Sequence, residues 1–111
     1  MSINPDIELI KHIQDETTFI LNHTENLTRE AYLMDKVLCR ASIRSLEIIG
    51  EATKKLSNDF KSEHSQIEWK KIAGTRDKLI HDYYGIDYDI VWDILTSKII
   101  EIHNFLSELN S

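Results

Sequence analysis

Arg76, His81 and Tyr83 stand within eight residues of one another, in the stretch Ala73-Gly74-Thr75-Arg76-Asp77-Lys78-Leu79-Ile80-His81-Asp82-Tyr83-Tyr84-Gly85. An arginine holds phosphate through a planar fork of donors, and a histidine moves protons near neutral pH. Metal-free RNA cleavage calls for that pairing. A proton donor or acceptor serves the 2′-hydroxyl and the leaving oxygen, and a fixed cation takes up the charge building on the phosphorane. Spacing alone is weak support, because an exposed arginine and a helix-capping histidine are the commoner meaning of such a pair. His81 would lie in the last turn of a helix beside Asp82, where the negative end of the dipole favours the imidazolium. That suits a general acid or an electrostatic partner better than an unassisted base.

Other chemistries find less support. His12 and Glu16 lie one helical turn apart, but no second ligand pair accompanies them, and His23, His64 and His103 read as surface or packing residues. Cys39 is the only cysteine, which excludes an internal disulfide and a cysteine-based zinc site. The one run near a phosphate loop, Ile49-Gly50-Glu51-Ala52, falls inside a helical pattern. Ser42, Ser45 and Ser57 lack a histidine base in sequence context, so an acyl-transfer triad is unsupported. No metal and no cofactor are expected.

The elements that must position these residues read as helices. The chain has 111 residues, which suits a single domain over 1–111, and its 3 glycines and 1 proline are too few for the turns of an all-β fold. Asn4 and Pro5 open a first helix whose apolar stripe runs through Ile10, Ile13, Thr17, Ile20 and Leu21, ending in the polar stretch 22–26. Thr28 caps a short turn through Leu33, and Asp35 caps a long second helix to about Ser57. Gly50 inside it costs about 1 kcal/mol against alanine, which points to a close helix contact there. Residues 58–67 are polar and aperiodic, so they read as a loop. A third helix starts near Glu68, places Trp69, Ile72, Ala73, Arg76 and Ile80 along one side, and stops at Gly85. Asp87 caps a fourth helix, with Ile86 and Val91 spaced as a hydrophobic staple, that runs almost to the end of the chain. Four helices on short connections make an all-α, antiparallel four-helix bundle.

Charge is unevenly spread. The net charge is −6, yet residues 53–78 hold seven basic side chains against four acidic ones. A polyanion would be met there rather than over the whole surface. Lys54, Lys55, Lys70, Lys71 and Lys78 are read together as either a solvated face or an RNA contact, with neither reading preferred. No apolar run reaches the roughly 18 residues of a membrane span, and no leader opens the chain, so a cytoplasmic protein with no membrane contact is expected.

Arg76, four residues, His81, one residue and Tyr83 match R-x4-H-x-Y, and the sequence here resembles the HepT-like toxins of the HEPN superfamily. Two further blocks support this. Arg44-Ser45-Leu46-Glu47-Ile48-Ile49-Gly50-Glu51-Ala52 looks like that family's second-helix motif. Trp69 to Gly74, then Tyr84 to Asp89 with Val91-Trp92, look like its junction between third and fourth helices. The resemblance implies a homodimer whose motifs line one cleft, and metal-independent endoribonuclease activity as the toxin of a type II toxin–antitoxin system. It also implies a MntA-like nucleotidyltransferase antitoxin that transfers AMP to the motif tyrosine, Tyr83. Arg76 and His81 would be catalytic, with Asp77 and Glu51 in support.

Geometry adds a constraint. Residues five apart on an ideal helix differ by about 140° in direction and ~7.5 Å in height. Either the helix breaks near His81, or each histidine works with the arginine of a second subunit; a homodimer resolves the mismatch. For Arg44 and Glu51 a structural salt bridge is the preferred reading, and for Trp69 and Trp92 core or dimer packing is preferred to base stacking. An alternative of another class is a non-catalytic helical partner that binds nucleotide or substrate for a nucleotidyltransferase, with Arg76 as a phosphate anchor. A structural dimerisation module is a third.

Overall fold

The computed structural model describes residues 4–79 and 85–109, with Arg76 described by its backbone alone. Eight α-helices lie among these residues: α1 (Pro5–Thr24), α2 (Arg29–Met34), α3 (Lys36–Lys55), α4 (Asn58–Glu63), α5 (Trp69–Ala73), α6 (Thr75–Leu79), α7 (Tyr88–Leu95) and α8 (Lys98–Leu109). They group into four arms: α1, α3, the α5–α6 pair and the α7–α8 pair. The fold is an all-α bundle, as the periodicity predicts.

The expected caps form. The Asn4 side chain accepts from the Asp6 amide, Thr28 from Ala31, Asp35 from Leu38, and Asp87 from Asp89 and Ile90. Each satisfies a donor that a helix start leaves without an intrahelical partner. Asp6 does a second job: its carboxylate accepts from the amide and hydroxyl of Ser57, at 2.9 and 2.6 Å, and so ties the start of α1 to the end of α3.

α3 is the central helix, packed against α1, α2, α5 and α6, while α8 covers the other flank of α1. Ile13, Ile20, Ile49, Leu95, Ile102 and Leu106 are all but sealed from solvent. The buried arc of α3 is wider than one stripe, because Ser42, Ser45 and Thr53 lie inside it with Cys39, Ile43 and Leu46. Small hydroxyl residues can enter a helix interface when the backbone of their own helix takes the hydrogen. Ser42 does so, donating to the Cys39 carbonyl at 2.7 Å, which leaves its oxygen to accept from the Tyr32 hydroxyl, also at 2.7 Å.

Three segments differ from expectation. The stretch 58–67 is not all loop: Ser57 accepts from the Phe60 amide and starts α4, whose Phe60 packs against His64 and Trp69. The third helix is not continuous but is divided at Gly74. The fourth is divided at Thr96 and Ser97. Both divisions have one cause. Thr75 donates its hydroxyl to the Lys71 carbonyl at 2.9 Å, taking the acceptor that its own amide would use in an unbroken helix. Ser97 does the same to Asp93 at 2.5 Å, while Thr96 adds its hydroxyl, at 2.8 Å, to the Trp92 carbonyl that its amide still uses.

Candidate functional site

The arm that carries Arg76 is seated by its apolar side. Trp69, Ile72 and Leu79 are buried, and the Trp69 indole N–H donates to the His64 carbonyl at 2.9 Å. Gly50 of α3 lets this arm come close. A β-carbon on Gly50 would stand 3.4 Å from the Ala73 carbonyl oxygen and 3.7 Å from that of Ile72. The close contact expected at Gly50 is therefore with α5, one turn before Arg76.

Arg76 lies in the first turn of α6, followed by the exposed Asp77 and Lys78. The Arg76 side chain, His81, Asp82, Tyr83 and Tyr84 lie outside the described residues, as does Ile80. The chain returns at Gly85, whose φ of +141° is a conformation that L side chains rarely adopt. Asp87 then caps α7, with Ile86 half-buried and Val91 fully buried as the staple spacing requires.

A clamp that sequence reasoning missed holds this returning strand of chain. Arg29, the first residue of α2, reaches Asp89 at 3.1 Å and Asp93 at 2.5 Å. Asp93 first, then Asp89, pushes the guanidinium further above its ordinary pKa. The partners are 60 and 64 residues apart in sequence, so no local pattern announces them. Glu68 forms a second missed junction. Its carboxylate meets Lys71 of α5 and Lys98 of α8, each at 2.7 Å, and the two ammonium groups lower its pKa to about 2.

Between α3, α5–α6 and α7–α8 lies a cavity of about 450 Å³. Leu46, Ile49, Ile72, Ile94 and Ile102 form its apolar wall. Lys71, Lys78 and Lys98 stand around it with Thr75, so the segment that carries Arg76 forms one side. A pocket of this kind can take an apolar or flat group while its cations hold an attached anion.

Glu51 and Arg44 are placed elsewhere. Both are exposed on α3 and line a groove toward α1 with His12, Glu47 and Lys55. Glu51 pairs with Lys54 at 3.6 Å, the intrahelical salt bridge preferred for it. Trp69 and Trp92 are 7% and 8% exposed, so both serve the core rather than a stacking platform. Of the other histidines, His103 Nδ1 sits 3.0 Å from the Thr17 hydroxyl, His64 packs between Phe60 and Phe105, and His23 lies against Phe19. Among the described residues no three His, Cys, Asp or Glu side chains are grouped to hold a metal ion, and no helix is long and apolar enough to cross a membrane.

Comparison with known proteins agrees with the family resemblance. The family model described as ribonuclease HepT-like matches residues 9–109. Two relatives bear the name "Putative RNase". One, from Caldanaerobacter subterraneus subsp. tengcongensis, is 43% identical over 100 residues, covering 90% of this chain and 89% of its own. The other, from Methanocaldococcus jannaschii, is 44% identical over 92 residues, covering 83% of this chain and 73% of its own. A protein of Thermococcus cleftensis named "Probable ribonuclease HepT" is 40% identical over 92 residues, 83% of this chain and 84% of its own. No solved structure matches the chain. A family match over nearly the whole chain, with relatives at 40–44% identity, places this chain in the ribonuclease HepT-like family.

Proposed function

We propose that the chain is an endoribonuclease and the toxin of a type II toxin–antitoxin pair, cutting RNA without a metal. The family match over residues 9–109 carries this reading. The residues support it chemically. Arg76 binds the scissile phosphate and offsets charge on the phosphorane, while His81 handles the proton at the leaving oxygen. Nothing in this scheme needs an ion to lower the pKa of water, because the 2′-hydroxyl of the RNA is the nucleophile. Its products carry a 2′,3′-cyclic phosphate.

The working form is a homodimer in which motifs of two subunits line one cleft. The spacing of Arg76 and His81 supports this, since residues five apart on one helix face different ways. Asp77 supports the site as a polar neighbour of Arg76. Glu51 supports it only through the framework of α3, given its place in the α1–α3 groove. A nucleotidyltransferase antitoxin neutralises the enzyme by transferring AMP to Tyr83. The whole process is cytoplasmic.

The test is cleavage of cellular RNA by the purified chain in the presence of a chelator, against Arg76→Ala and His81→Ala variants. The parent cleaves and both variants lose at least about a hundredfold in rate, the usual scale for removing a general acid or an oxyanion donor. A variant as fast as the parent, or cleavage that returns only with magnesium, contradicts the assignment.

A further inference from the structure

The described surface holds a second concavity bordered by lysines. It measures about 570 Å³ and lies between α4 and α5, with Lys61, Lys70 and Lys71 around it together with Ser62 and Ser65. Lys71 also borders the cavity beside α6, so one lysine is common to the linings of both concavities. Beyond it stand Lys78 and Lys98.

We propose that these two concavities form a track for the backbone of single-stranded RNA, running from the α4–α5 groove past Lys71 to the cavity beside α6. This rests on the ribonuclease reading for the identity of the polyanion. Charge complementarity supports it. The chain carries −6 overall, yet five lysines border the track against two carboxylates, Glu68 and Asp93. Neither acid is left to repel phosphate. Glu68 is covered by Lys71 and Lys98, and Asp93 by Arg29 from α2. Lys98 also lies 3.9 Å from Glu101, so two carboxylates balance the two ammonium groups of this junction, and the excess positive charge along the track comes from Lys61, Lys70 and Lys78. Glu68 orients Lys71 and Lys98, which lowers the side-chain entropy lost when phosphate arrives.

The direction of the track follows from its ends. Lys78 lines the cavity with Lys71 and Thr75, so a strand passing Lys71 continues along the arm that carries Arg76. The apolar wall there accepts the face of an unstacked base, and the lysines and serines of the α4–α5 groove hold sugar and phosphate. Lys61 and Lys70 are then binding residues remote from the chemistry, which a solvated surface does not require.

The experiment measures binding, not cleavage, so that it stands apart from the catalytic reading. A fluorescent single-stranded RNA with every 2′-hydroxyl methylated is titrated with the full chain by anisotropy across a range of salt. The double variant Lys61→Gln, Lys70→Gln is compared with Lys11→Gln, Lys36→Gln, which removes the same charge from exposed sites on α1 and α3. Removing two phosphate contacts should lower the slope of log K against log salt by about 1.4 and weaken binding at 0.1 M salt by roughly ten- to thirtyfold. The control pair should change neither beyond the small effect of net charge. Equal loss in both doubles, or no loss in the first, overturns the track and leaves the ribonuclease reading standing. Loss confined to Lys61 and Lys70 in a chain that cleaves no RNA upholds the track and overturns that reading. A parent that does not bind the oligonucleotide overturns the track, and its cleavage assay then judges the enzyme separately. Unchanged circular dichroism in each variant shows that folding is not the cause.

Discussion

Gly50 of α3 presents its hydrogen to the carbonyl of Ala73, with 3.4 Å between that oxygen and the place a β-carbon would occupy. One methyl group reaches ordinary contact distance there, and anything larger meets backbone. Helix propensity favours alanine over glycine by about 1 kcal/mol. Gly50→Ala should therefore leave the protein as stable as the parent or up to ~1 kcal/mol more stable in urea unfolding. Gly50→Val adds β-branched atoms against the carbonyls of Ile72 and Ala73, and overpacking of this kind costs on the order of 1–3 kcal/mol. Because α5 leads directly into the turn of Arg76, the valine variant should also lose RNA cleavage at temperatures where it is still folded. Equal stability of the two variants would show that the contact is looser than it looks.

Glu68 supplies the pH dependence. Lys71 and Lys98 hold its pKa at about 2, below the ordinary 4.5, so its protons are bound less tightly in the folded state than in the unfolded one. The sign is that of a depressed acid: the stabilisation is full above pH 4.5 and disappears as pH falls toward 2. Glu68→Gln should remove part of the acid destabilisation in that window and leave the profile near neutrality shallow. The group is exposed, so 1 M salt should shrink the difference between parent and variant. Identical acid unfolding of both proteins at low salt would remove Glu68 from the account.

Tyr32 tests the buried polar core. Its ring packs on Trp92 and Tyr88, and its hydroxyl donates to Ser42 inside the α2–α3 contact. Burial raises the pKa of the phenol, with the Ser42 bond working against the shift. Tyr32→Phe keeps the ring and loses the hydroxyl, at a cost of about 1 kcal/mol. Tyr32→Ala empties a large, fully buried site and should cost roughly 3–5 kcal/mol. Thermal melts of the two variants separate the hydroxyl from the ring.

Tyr83 is the predicted control point. AMP on its hydroxyl adds a phosphate and a purine close in sequence to Arg76, and the added charge and bulk would compete with RNA for the same guanidinium. Co-expression with a MntA-like nucleotidyltransferase should give AMP-sized mass additions on the peptide that spans Tyr83. Tyr83→Phe should escape neutralisation. Modification that moves unchanged to Tyr84, or neutralisation that ignores Tyr83, would displace the switch.

Light scattering checks the assembly: a stable monomer at micromolar concentration would contradict the two-subunit cleft.

Much of this molecule was legible in local sequence. Caps at Asn4, Thr28, Asp35 and Asp87 act over two to three residues, and an apolar stripe repeats every three or four. Both are short-range rules, so the four arms and their starting points follow from the chain alone. The same locality made the R-x4-H-x-Y motif recognisable, and Gly50 announced a close contact by being costly where it stands.

The tertiary structure decided what those rules could not reach. Thr75 and Ser97 read as tolerable helix residues, and only in place do their hydroxyls take i−4 carbonyls and divide two arms. Ser57 read as the end of the long second helix until Asp6, 51 positions earlier, held it at the start of α4. Arg29 carried no local signal, and Glu68 none beyond its pair with Lys71 three residues on, because a surface charge is defined by whatever the fold brings opposite it. Their distant partners, Asp89 and Lys98, lie 60 and 30 residues away. Periodicity tells a helix which face to bury; it does not tell a charge which neighbour it will meet, since that is set by how the buried faces stack.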